Sequence, residues 1–276
     1  MNRDVRLQAK ILLSGNVARL FMVSFCGFIL RYGTLILSGW GIYHFYKSPL
    51  FFYLLGTYNE YFVYAFSFFG ACLLIFFSFL FICSIRSGEY FVYFTCANGG
   101  YAKFSSLFKF LNIKKAVKFL SLYIQINTRK ILWLFFFFMP SAICFACIYF
   151  LQHNSFLQES VYITLYCGAS ATLALAYFMS RFYALRISAA PYYICLNQAS
   201  PSAAIKKSIH FTDGSLCDGT VLECSLIGWI LSCLFLIPAL YAIPYIKLTK
   251  AVFITNAVHL KSRAKSSYAI NILGLA

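Results

Sequence analysis

At 276 residues, with 62% hydrophobic and only 11% charged side chains, this chain carries too little charge to cover a water-facing surface, where about a quarter of residues is usual. Lipid must do that covering, which excludes an ordinary soluble domain. A formal net charge of +16 would suggest nucleic acid in a soluble protein. Here the Lys and Arg lie beside long apolar runs, so they read as topogenic and lipid-facing charge, and no nucleic-acid partner is expected.

In chain order, Arg3, Arg6 and Lys10 form a basic leading segment. The apolar run after it is too long for the core of a signal peptide and lacks a small-x-small cleavage site, so it is expected to stay as the first span. That run, Val17–Tyr46, and the runs 61–83, 131–151, 160–180 and 220–243 each have the length to cross a hydrocarbon core, which takes about 20 residues at about 1.5 Å each. Tyr43, Tyr46, Tyr61, Tyr149, Tyr162 and Tyr183 lie at run ends, the headgroup level that an amphipathic ring prefers.

Cationic residues alternate with these runs. Residues 1–19 are basic; 47–60 hold Lys47 alone, offset by Glu60; 84–130 are densely basic; 152–159 hold no Lys or Arg; 181–219 hold Arg181, Arg186, Lys206 and Lys207; and the tail holds Lys261, Arg263 and Lys265. Cytoplasmic loops carry the excess of Lys and Arg, so both ends are expected in the cytoplasm. That needs an even number of crossings. Pro238 and Pro244 bracket residues 239–243, where a helix is expected to break, giving a fifth span over 220–238 and a sixth over 244–260. Lys247 and Lys250 then snorkel to the outer interface. The alternative lays 244–260 along the surface. The expected fold is all-α: one polytopic membrane bundle of about six helices, with a basic amphipathic helix on the cytoplasmic side.

That helix is expected over 103–125, where Ser105, Lys109, Asn112, Lys115 and Lys118 recur every three or four positions among Phe and Leu. Lys109, Lys115 and Lys118 would face anionic inner-leaflet lipid. A second short helix is expected over 200–211, with Ser200 as cap, Pro201 in the first turn and Gly214 as terminator.

Few residues carry chemistry. Arg31 sits halfway along the first run, a depth at which a cation normally faces the bundle interior or water. It is either an anion contact or half of a structural pair with Glu223, Glu60 or a carbonyl. Glu223 is expected in the first turn of the fifth span, where a carboxylate complements the helix dipole. Cys144 and Cys147 have redox-motif spacing but lie in an apolar run, where thiols are inert. His44, His153, His210 and His259 have no metal-ligand spacing. Gly168, Thr172, Ala176 and Ser180 form a small-residue face for close helix contact. The Gly228–Trp229 pair allows a close approach with a ring to fill the space. The eleven Cys form no legible disulfide framework, and the absence of an Asn-x-Ser/Thr sequon points to a prokaryote.

Tyr192–Tyr193, Ser200–Pro201, Ala204–Ile205 with Ser208, the run Leu226-Ile227-Gly228-Trp229, and Pro244–Tyr245 with Thr249 resemble a family of bacterial multi-pass membrane proteins of unknown function. Arg6, Ala9–Lys10, Leu13, Gly15–Asn16 and Trp133 add to the likeness. That family is distantly similar to the membrane domain attached to some glycerophosphodiester phosphodiesterases. Ile254 departs from it where a Tyr is expected. The resemblance implies about six helices and no catalytic residues, and no phosphodiesterase domain is present to carry over. The expected function is non-enzymatic and without cofactor: a plasma-membrane scaffold or accessory subunit whose partners are anionic lipid and another membrane protein or a second copy of itself. The rival is a small-solute transporter with Arg31 lining the path. An intramembrane enzyme is the third reading, with no motif behind it.

Overall fold

The computed structural model describes residues 2–101, 103–153, 159–197, 199–212 and 214–272. Among the described residues every regular element is helical. The order is α1 (Asn2–Ser14), α2 (Val17–Tyr46), α3 (Pro49–Thr57), α4 (Glu60–Ala97), a 3-10 turn (Phe104–Phe108), α5 (Ile113–His153), α6 (Glu159–Leu185), α7 (Ala190–Asn197), α8 (Pro201–Thr212), α9 (Leu216–Ser225), α10 (Ile227–Ser232) and α11 (Leu236–Ile272). Four helices are long and apolar enough to cross a membrane: Val17–Tyr46, Glu60–Ala97, Ile113–His153 and Val161–Leu196. The sharply bent pair Pro201–Thr212 and Leu216–Ser232 makes at most a fifth. The chain is all-α and fits a multi-pass membrane protein, with four or at most five candidate spans by length and composition among the described residues, where about six are expected.

Burial divides the molecule into a headpiece and two hairpins. The headpiece core joins Val5, Ala9 and Leu13 of α1, Leu20 and Val23 of α2, the last third of α4, the start of α5, α7, α8 and the middle of α11. From it α2 and α4 extend as an antiparallel pair closed by α3, where Phe51 meets Tyr64 at 5.9 Å. α5 and α6 form the second pair. Tyr162 donates to the Leu151 carbonyl at 2.8 Å near its far end, and Trp133 stacks on Tyr183 at 4.5 Å near its base. Ile36, Phe68, Phe69, Phe136 and Ile163 stand exposed along these arms. Helices apolar on all sides need lipid around them. The tip of the second hairpin, 154–158, and residues 273–276 lie outside the described residues, as do the side chains of Lys261, Arg263 and Lys265.

Three expectations fail for physical reasons. Residues 84–130 do not form a loop: α4 runs on to Ala97, because Ile85, Val92, Tyr93 and Cys96 keep the helical period and bury that face. The amphipathic stretch 103–125 is not one helix. It divides into the 3-10 turn and the start of α5, where the Asn112 side chain accepts from the Lys114 amide at 3.0 Å. The turn packs against Gly88, where an added Cβ would collide with the Leu107 carbonyl. Finally, 220–238 is not one continuous helix. α9 and α10 are separate short helices, and the chain turns at Leu234 and Phe235, which are 81% and 69% exposed.

α11 then runs unbroken for 37 residues through Pro244. Pro238 falls in its first turn, where no amide partner is lost. Pro244 gives up one hydrogen bond, and the packing of Ala242, Tyr245, Leu248 and Val252, each at most 1% exposed, outweighs it. Residues 244–258 are buried or half-buried and form the axis of the headpiece. Ser200 and Pro201 do open α8 as expected, with the Ser200 hydroxyl accepting from the Ala203 amide at 3.4 Å, and Gly214 follows it with φ +108°.

Candidate functional site

On α2, Leu20, Ser24, Gly27 and Arg31 share one helical face, and that face meets α4. Arg31 donates through Nε to the Gly27 carbonyl at 2.8 Å, and its Nη2 lies 3.2 Å from Oε2 of Glu89. Glu89 is 4% exposed. Its Oε1 pairs with Lys247 Nζ from α11 and accepts from Ser24 Oγ at 3.3 Å. Tyr93, one turn further along α4, hydrogen-bonds Ser24 at 2.6 Å and donates to the Leu20 carbonyl at 3.2 Å. One buried carboxylate thus ties α2, α4 and α11 together. The partner of Arg31 is Glu89, which the sequence reading missed by placing it in a loop.

A second carboxylate makes a similar knot. Glu223 Oε1 lies 2.7 Å from Lys250 Nζ of α11, and its Oε2 lies 3.5 Å from Arg181 Nη2 of α6. Glu223 is in the last turn of α9, and the acid in the first turn is Asp218. The expected dipole role is therefore wrong in sign, since a helix C-terminus repels a carboxylate. The two cations hold it there.

Two cavities flank α11. One, of about 220 Å³, is lined by Arg86, Lys130, Arg181, Glu223 and Lys250 with Leu222 and Phe253 among its apolar wall. The other, of about 210 Å³, is lined by Arg31, Glu89, Tyr93 and Lys247. Arg86, Tyr90, Lys250 and Ile254 belong to both. The arrangement provides closely spaced cations, hydroxyls and an apolar floor. Among the described residues no group of His, Cys, Asp and Glu has the geometry to hold a metal ion.

Of the other expected residues, Lys115 is exposed and Lys118 half-buried at the start of α5, while Lys109 lies off that helix with Nζ 3.6 Å over the Phe91 ring. On α6 the buried face is Ala169, Ala176 and Ser180, and Thr172 accepts from Ser141 of α5 at 3.2 Å. Gly168 is exposed and meets nothing, so the face begins one residue later. Ala176→Leu should lower stability by about 1–3 kcal/mol through overpacking, whereas Gly168→Leu should not. Thermal unfolding in neutral detergent distinguishes them, and equal melting points would refute the assignment. Gly228 is likewise exposed with open space around it. Trp229 packs on Tyr245 at 5.0 Å without needing that glycine. Cys144 and Cys147 are exposed and free. His44 lies against Trp40, and His259 Nε2 is 3.1 Å from Asn98 Oδ1.

Neither a scan against family models nor searches of curated proteins and of solved structures find a match for this chain.

Proposed function

We propose that this chain is a non-enzymatic scaffold or accessory subunit of a bacterial plasma membrane, with both termini cytoplasmic and a basic inner face that engages anionic lipid. The observation that carries the reading is the separation of charge from apolar surface. Residues 32–85 contain Lys47 as their one Lys or Arg, and residues 131–180 contain none. The remaining cations whose side chains are described fall on the headpiece or at its junction with the arms. Beyond Gly27 the arm of α2 has about 28 Å of helix, against about 30 Å for a hydrocarbon core. With the arms in lipid the headpiece lies at the cytoplasmic headgroups, and Arg31 is shallower than its place in α2 suggests. The pairing of Arg31 with Glu89 and Lys247 across three helices fits a braced framework. The resemblance to bacterial multi-pass proteins of unknown function belongs to the same proposal and adds no activity to it.

Lys109→Gln/Lys115→Gln/Lys118→Gln should reduce the phosphatidylglycerol that remains with the purified protein, and raised salt should do the same to the wild type. Lipid counting by native mass spectrometry measures both; undiminished retention would remove the lipid contact. A reporter fused at Ala276 should be active in the cytoplasm, and periplasmic activity would overturn the threading. The transporter reading draws on the cavity that reaches Arg31. It requires thiol reagents to reach cysteines placed on α2 and α11 from both sides of the membrane.

A further inference from the structure

The two ionic knots leave charge over. Arg31, Arg86, Lys130, Arg181, Lys247 and Lys250 line the adjoining cavities, against Glu89 and Glu223. Glu89 is engaged by Arg31 and Lys247, and Glu223 by Arg181 and Lys250. Arg86 and Lys130 have no carboxylate partner among the described residues. Arg86 meets two tyrosines instead: it hydrogen-bonds Tyr90 and lies 5.0 Å from the centre of the Tyr123 ring. Lys130 feels like charge from Arg86, Arg181 and Lys250 and opposite charge from Glu223 alone. Arg86, Lys130 and Arg181 are exposed at the cavity and Lys250 is half-buried, and a concave cluster of like charges draws in an anion to offset it.

We infer that the cavity between α4, α5, α6, α9 and α11 binds a phosphate group, with Arg86 and Lys130 as its principal contacts and Arg181 and Lys250 at its edge. A guanidinium offers paired N–H donors that match phosphate oxygens, and an ammonium adds a mobile point charge. A phosphomonoester carries about −1.5 to −2 at neutral pH, close to the charge that Arg86 and Lys130 leave uncompensated. The apolar wall formed by Ile126, Leu185, Leu222, Phe253 and Ile254 suits the first carbons of an attached chain. At about 220 Å³ the cavity takes a headgroup and the first carbons, so the rest of an amphiphile's tail would leave along the base of the α5–α6 arm. This inference deepens the lipid-engaging reading above and rests on it. It differs in naming an internal site apart from the surface lysines.

The test uses the full-length protein in neutral detergent, titrated with dihexanoyl phosphatidic acid, inorganic phosphate and dihexanoyl phosphatidylcholine, with binding read by calorimetry. Phosphatidic acid should bind at one site, and Arg86→Gln/Lys130→Gln should weaken it at least tenfold. Lys130→Gln alone alters only an exposed cavity-lining side chain, so it reports even where the double variant does not fold. Ala184→Phe, which narrows the cavity and leaves every charge in place, should weaken binding as well. Phosphatidic acid binding tenfold tighter than inorganic phosphate identifies a lipid headgroup, and equal binding identifies a free phosphate compound; either supports the site. Affinity unchanged by Lys130→Gln and Ala184→Phe, or matched by phosphatidylcholine, overturns it. Loss of lipid retention in the Lys109, Lys115 and Lys118 variant with the cavity variants unaffected removes the internal site and keeps the surface reading. The reverse pattern keeps the site and removes the surface reading.

Discussion

Glu89→Leu should destabilise the protein by about 3–5 kcal/mol, since removing one partner of a buried ion pair leaves uncompensated charge behind. Here it strands two cations, Arg31 and Lys247, on different helices. Against a total stability of about 5–15 kcal/mol, that is a large share of what holds α2, α4 and α11 together. Glu89→Gln should do less harm, because an amide oxygen still accepts from Ser24. The informative variant is Arg31→Met/Glu89→Leu/Lys247→Met. Well-packed apolar replacements of buried ion networks are often neutral or stabilising, so the triple variant should melt near the wild type. Thermal unfolding in neutral detergent decides the matter. A Glu89→Leu protein as stable as wild type would show that the carboxylate braces nothing. A stable triple variant would show that these charges can be dispensed with for folding.

Gly88→Ala should also be severe, at about 3 kcal/mol, the upper range for overpacking. Its Cβ would meet the backbone carbonyl of Leu107, and a carbonyl cannot step aside as a side chain can. The 3-10 turn would have to lift, drawing the fully buried Leu107 out of the core. Truncating the Leu107 side chain should therefore not rescue Gly88→Ala. Limited proteolysis provides the readout: cleavage within residues 99–112 should rise in Gly88→Ala and stay slow in Gly70→Ala, whose surroundings are open. Equal protection of the two would mean that the close approach is not a constraint.

The arms were legible because lipid imposes one simple demand, sustained apolarity, and α2, α4, α5 and α6 all meet it. The headpiece was obscured by that same signal. Arg86 and Glu89 interrupt the apolar run, so apolarity alone predicts a span that ends at Cys83. Yet Arg86, Glu89 and Tyr93 stand three and four residues apart on a pattern that continues to Cys96, and that spacing marks a helix carrying charge on one face. Arg31 was identifiable as a buried cation because it is a lone charge in an apolar helix. Its partner was not, because pairing across 58 positions depends on how α4 docks, which no local pattern encodes. Lys247 and Lys250, expected to snorkel to an interface, pair with Glu89 and Glu223 instead. Prolines at 238 and 244 suggested a break, and local propensity gave way to the packing of α11 in the middle of the core.

The position of α11 bears on the order of manufacture. Chains emerge from the ribosome beginning with α1, and both hairpins can enter the bilayer as soon as their arms are made. Glu89 must then wait for Lys247, and α1 for the helix that covers Val5, Ala9 and Leu13. Until α11 is translated, the headpiece is an unfinished shell with its greasy lining open.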